Sequence, residues 1–259
     1  MDPLKRKLNY HYRFFDKKMI SPDPLEFLHK YHDPRDIEAI GLIASVFAYG
    51  RVAQIISTLQ KVSQLMEFEP YNFILSYDPA KDSAVFSDLK HRFYTPDDIS
   101  LLFRILHRVY TNYSSLKELF LLYYFREEDN LKESVSFFGR NLLNLAGCRE
   151  EKLPAGLKFM FPDPMLGSAC KRMNLFLRWM VRHDDLDFGL WCEIPRSKLV
   201  IPVDTHVARI CTELKLTKRK NVSWLMAEEI THNLRKYDPE DPVKYDFAIC
   251  HIGMRNMKF

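Results

Sequence analysis

The 259-residue chain is 47% hydrophobic, 14% aromatic and 28% charged, the balance of a folded globular protein, which excludes disordered and fibrous classes. It has 8 glycines and none falls in a G-x-G-x-x-G or G-x-x-x-x-G-K-[ST] pattern, so Gly-rich nucleotide loops are excluded. A formal net charge of +4 is too small to mark a nucleic-acid binder by composition alone.

From the start of the chain, the basic stretch 1–7 leads into no apolar signal-peptide core, and no apolar run reaches membrane-spanning length. A cytoplasmic protein with no membrane partner is expected. Cap residues followed at once by proline, the pattern of a helix start, occur at Ser21-Pro22, Asp33-Pro34, Thr95-Pro96 and Asp241-Pro242. After Asp33 the run IEAIGLIASVFAYG carries apolar residues at helical spacing as far as Gly50, and a second helix is predicted from Val52 to Met66. Further helices are predicted near 97–111, 115–125, 131–146, 168–182, 205–214, 223–236 and 242–254. Segments 68–96 and 147–166, richer in Pro, Asp and Gly, read as irregular connections, and Lys198 to Val203 is the one short β-branched stretch. The expected fold is all-α, a single helical unit over 1–259 built as two lobes with a cleft between them. The five cysteines, Cys148, Cys170, Cys192, Cys211 and Cys250, form no C-x-x-C pair; reduced, mostly buried thiols are expected.

Two stretches carry chemistry. In Met165-Leu166-Gly167-Ser168-Ala169-Cys170-Lys171-Arg172, the small residues Gly167, Ser168 and Ala169 open a helix whose backbone N–H groups suit a DNA phosphate. Lys171 falls in the first turn, where the helix dipole and Arg172 disfavour the ammonium form. A lysine of lowered proton affinity is the usual amine nucleophile for Schiff-base chemistry at a sugar carbon. The alternative is an ordinary solvated lysine. In Ile201-Pro202-Val203-Asp204-Thr205-His206-Val207-Ala208-Arg209-Ile210, Asp204 reads as a helix N-cap, kept ionised by backbone donors. Such a carboxylate suits deprotonation of a nearby lysine and stabilisation of positive charge on a sugar ring. His206 and Arg209 follow on the same helix as candidate substrate contacts.

The phrase VDTHVARI at 203–210 resembles the aspartate-bearing helix start of endonuclease III and related helix-hairpin-helix DNA glycosylases. The hairpin of that superfamily, roughly L-P-G-V-G-x-K, is matched in part by Met165 to Lys171, with Gly167 kept, Ala169 for the second glycine and Leu166 for the proline. Asp204 follows Lys171 by 33 positions, a long separation similar to that of the archaeal 8-oxoguanine glycosylases. AYGRVAQI and SACKRMNLFLRWMVR also resemble a bacterial family related to those enzymes. The resemblance covers 35–60 and 155–255, with the helix-hairpin-helix and catalytic region at 155–215. It implies a bifunctional glycosylase and abasic-site lyase acting as a monomer on duplex DNA that contains a damaged base, an oxidised purine first. Lys171 would be the nucleophile and Asp204 the essential carboxylate. It also implies that Tyr49, Arg51 and Gln54 probe the flipped base or the gap it leaves. The iron–sulfur cluster of endonuclease III has no four-cysteine counterpart, and no cofactor and no metal is expected. Lys171, Arg172, Arg178 and Arg182 on one helix, and Lys215, Lys218, Arg219 and Lys220 after the next, would follow a DNA backbone. Trp179, Trp191 and Trp224 are candidates for pocket lining or for the core.

Two rival readings belong to other classes. One is a nucleic-acid-binding module without catalysis, for which neither Lys171 nor Asp204 is needed. The other is a metal-dependent phosphohydrolase using His32-Asp33 and His183-Asp184-Asp185, although both clusters fall at helix boundaries where capping aspartates are expected.

Overall fold

The computed structural model describes residues 2–255 and Met257. Its helices are, in chain order, α1 (Pro3–Phe14), α2 (Leu25–Leu28), α3 (Pro34–Phe47), α4 (Val52–Leu65), α5 (Pro70–Ser76), α6 (Pro79–Asp82) and α7 (Pro96–Tyr113). There follow α8 (Leu116–Leu121), α9 (Lys132–Asn144), α10 (Ala155–Met160), α11 (Lys171–Val181), α12 (Thr205–Glu213), α13 (Trp224–Arg235) and α14 (Asp246–Met254). The fold is all-α; among the described residues only the isolated bridges His91–Tyr94 and His183–Phe188 have strand-like pairing. The β-branched stretch at 198–203 forms no strand. The chain divides into two compact units, one of Met1–Ser21, Glu127–Lys132 and Pro164–Phe259, the other of Pro22–Arg126 and Glu133–Asp163.

Capping chemistry explains most of the helix starts. Asp33 Oδ1 accepts from Arg35 N at 2.8 Å ahead of α3, and Thr95 and Asp98 form a reciprocal capping box at α7. The Ser21-Pro22 signal misplaces a start by two residues: the capping oxygen ahead of α2 is Asp23 Oδ1, which accepts from Leu25 N at 2.9 Å. Asp241-Pro242 opens a 3₁₀ turn, Pro242–Tyr245, with no side-chain cap, and α14 begins only at Asp246. The Asp241 carboxylate is committed elsewhere, to Arg182. The expected irregular segments 68–96 and 147–166 contain α5, α6 and α10, which are too short to show a clear helical period. The start of the chain, which carried little sequence signal, is α1, capped by Asp2.

In the second unit α3 is buried almost all round. Its Glu38 is spared the cost of a buried anion because the carboxylate accepts from Leu116 N at 2.9 Å, Lys117 N at 3.1 Å and Tyr110 OH at 3.1 Å. It thereby satisfies the first turn of α8. In the first unit α14 packs against α12 at close range: a Cβ on Gly253 would lie 3.1 Å from His206 Cβ. No disulfide joins the cysteines; Cys170 and Cys211 are buried, Cys148 and Cys250 half-buried, and Cys192 is exposed, against the expectation of mostly buried thiols.

Candidate active site

The approach to α11 is built from its small residues. After a 3₁₀ turn, Pro164–Leu166, Gly167 N donates to Pro164 O at 3.0 Å and Gly167 takes φ +89°, a left-handed value that any side chain would strain. Ser168 Oγ accepts from Cys170 N at 3.2 Å. The turn is tied down from two sides: Trp224 N donates to Gly167 O at 3.0 Å, and Asn174 Nδ2 to Ala169 O at 3.1 Å. Leu166 is 86% exposed at the tip. Lys171 is then the first residue of α11.

Asp204 precedes α12 and divides its oxygens between two tasks. Oδ1 accepts from His206 N and Val207 N, each at 2.9 Å, so the residue caps the helix. Oδ2 lies 2.9 Å from Lys171 Nζ, with the side chains 31% (Lys171) and 21% (Asp204) exposed. Burial alone would push the Asp204 carboxyl up, but the Lys171 ammonium and the Val207 N–H together bring it below the usual carboxylate range. The two residues thus start as an ion pair, and nucleophilic use of the amine requires that a proton leave it first.

Other sequence-predicted residues divide by burial. His206 is exposed. Arg209 is exposed but engaged, with Nη1 3.1 Å from Glu213 Oε1 and Nη2 donating to Gly253 O at 3.1 Å. Arg172 is only 7% exposed, at odds with the phosphate contact expected of it. Arg178 and Arg182 also fail as phosphate contacts, because they form a buried network with acidic partners. Arg178 bonds Asp187 at 3.0 Å and Asp246 at 2.6 Å; Arg182 bonds Asp241 and Asp184, each at 2.8 Å, as well as Asp187. Among the cations after α12, Arg219 pairs with Glu229 at 3.1 Å, while Lys215, Lys218 and Lys220 are exposed. Trp179, Trp191 and Trp224 are all core residues.

Tyr49, Arg51 and Gln54 belong to the second unit. The Tyr49 ring is half-buried, edge-on to Phe93 at 5.7 Å and Phe159 at 4.9 Å, with the Arg92 guanidinium 5.1 Å from its centroid. Arg51 and Gln54 are exposed at the start of α4. Two residues of the phosphohydrolase reading have structural partners: Asp33 caps α3, and Asp184 pairs with Arg182. Among the described residues, no three of His, Cys, Asp or Glu are grouped to hold a metal.

Residues 23–255 match the family described as Protein of unknown function (DUF2400). The chain belongs to this family. No curated protein and no solved structure matches it. The DUF2400 span takes in Lys171, Asp204 and every other candidate site residue, whereas α1 falls ahead of it. It also contains Asp246, a buried carboxyl that sequence reasoning missed. The available signal was a lone acid opening the run FAICHIGM, apolar but for His251.

Proposed function

We propose that this DUF2400 protein is a base-excision DNA glycosylase with abasic-site lyase activity, acting as a cytoplasmic monomer on duplex DNA. The proposed lesion is an oxidised purine, 8-oxoguanine first. The observation that supports this most is the 2.9 Å approach of Lys171 Nζ to Asp204 Oδ2 at the starts of two helices. Binding alone requires no such pair, and an isolated ion pair of this exposure adds little to stability.

In the proposed reaction the damaged base is swung out of the stack. Lys171 Nζ gives up a proton to water, and its lone pair forms a bond to the anomeric carbon of the lesion nucleotide. The bond from that carbon to the base breaks, the electron pair leaving with the base, which takes up a proton. The ionised Asp204 stabilises positive charge developing on the sugar. Opening of the sugar ring yields an imine between Lys171 and the sugar carbon. Loss of a proton from the adjacent carbon then expels the 3′ phosphate by β-elimination, and water hydrolyses the imine to free the enzyme. The exposed Lys215, Lys218 and Lys220 supply phosphate contacts in this reading. Among the described residues no helix is long and apolar enough to cross a membrane.

The experiment is reductive trapping. Borohydride added to the protein with duplexes carrying 8-oxoguanine, uracil, an alkylated base or an abasic site should give a covalent protein–DNA adduct. Adducts are expected with 8-oxoguanine and with the abasic site. Trapping confined to uracil or alkylated bases overturns the lesion assignment, and no trapping on any duplex leaves a monofunctional glycosylase or a binding module.

A further inference from the structure

The Lys171–Asp204 pair has a floor. On an α-helix, residues seven apart differ by about 20° in direction and lie two turns along the same face. Arg178 therefore lies beneath Lys171 on α11, and Cys211 beneath Asp204 on α12. Asp246, the first residue of α14, is fully buried and receives Arg178 Nη1 on its Oδ2 at 2.6 Å. Its Oδ1 is buried and accepts no hydrogen bond. α14, which Asp246 opens, packs against α12. The Asp246 carboxyl is thus held from α11 by Arg178 and carried by a helix that packs on α12, with one oxygen uncommitted.

We propose that Asp246 is a positioning residue of this site, a buried carboxyl whose own proton sets how firmly Lys171 holds its proton. The role deepens the reading of Lys171 as an amine nucleophile and rests on it. Ionised, Asp246 adds a second anion near the Lys171 ammonium and strengthens its hold on the proton. Protonated, it withdraws that anion and releases the amine toward its nucleophilic form. The two groups therefore titrate as a coupled set. The charged and titratable groups around Asp246 are Lys171 and Arg178 on α11, with Arg182 and Asp187 beyond Arg178, and Asp204 and Cys211 on α12. From its own helix comes His251, stacked on Phe247; Phe15, just after α1, meets that pair, and the turn Pro242–Tyr245, which also packs on α14, carries Lys244 and Tyr245. Burial pushes the Asp246 carboxyl up to about 6 against the pull of Arg178, so it exchanges its proton within the working range of an enzyme.

The test measures Lys171 directly. Lysines of the whole chain are methylated reductively with ¹³C-formaldehyde, and the Lys171 resonance, assigned by its loss in Lys171→Gln, is followed against pH. In Asp246→Asn the Lys171 midpoint should fall by roughly 1 pH unit, because a buried negative charge nearby has gone. The acid limb of borohydride trapping on an abasic duplex should move the same way. A Lys171 midpoint that stays in place in folded Asp246→Asn overturns the assignment. Should that variant not fold, the reciprocal measurement decides: the ¹³C-carboxyl resonance of Asp246 should titrate at higher pH in Lys171→Gln than in wild type, and unchanged titration overturns the assignment equally. Wild type that never traps, with the two titrations still coupled, would count against the glycosylase–lyase reading and not against the placement of Asp246.

Discussion

One carboxylate, that of Asp204, caps α12 with Oδ1 while Oδ2 stands 2.9 Å from Lys171 Nζ. The cap needs only an oxygen; the pair needs the charge. Asp204→Asn separates the two, since asparagine caps about as well as aspartate. It should abolish trapping yet move Tm by no more than about 4 °C, the loss of one partly exposed ion pair. Asp204→Ala should lose the activity and a further ~1 kcal/mol, the usual cost of a missing cap, measured by urea unfolding. An active Asp204→Asn would reduce this residue to a cap.

Lys171→Gln should give no borohydride adduct on any duplex, with circular dichroism unchanged and DNA affinity lowered less than about tenfold, the share of a single phosphate-reaching cation. Persistent trapping in this variant would move the nucleophile to another amine.

Stability should respond to pH through Asp246 with a definite sign. The folded protein holds this carboxyl at about 6 against a usual 3.8, so folding favours the protonated form. That contribution is complete below the unfolded value and disappears as pH rises through about 6. Wild type should therefore lose on the order of 3 kcal/mol relative to Asp246→Asn between pH 4 and about 8 in paired denaturation curves. Asp204, displaced downward, works the other way, adding stability above the unfolded carboxylate range and losing it as pH falls. Parallel curves for wild type and Asp246→Asn would refute the coupling of Asp246 to folding.

Arg182 and Lys218 should behave as opposites. Arg182→Ala takes a guanidinium from Asp184, Asp187 and Asp241, two of which are buried, and leaves Asp187 with Arg178 alone; it should cost about 3–5 kcal/mol of stability.

Lys218→Ala, at an exposed position, should leave stability within about 0.5 kcal/mol and make the salt dependence of duplex binding shallower by about 1 in slope. A slope identical to wild type would remove the stretch after α12 from the DNA interface.

Local sequence determined a good deal of this protein. Helical spacing and cap–proline pairs marked the starts of α3, α4 and α7 to within a residue, and their ends less closely, because a start is settled by atoms two or three positions away. For the same reason Asp204 was legible as a cap and Lys171 as a first-turn residue. Tertiary structure alone decided which charges meet. Arg178 and Arg182 occur at the spacing of a solvated basic face, yet their partners include Asp241 and Asp246, 59 and 68 residues onward. The approach of Asp204 to Lys171 likewise joins two helix starts that lie far apart along the chain, and Asp246 acquires its character only from burial beside Arg178. A helical pattern reports contacts within one turn, whereas the proton affinity of a carboxyl is set by everything within several ångströms in space, whatever its distance along the chain.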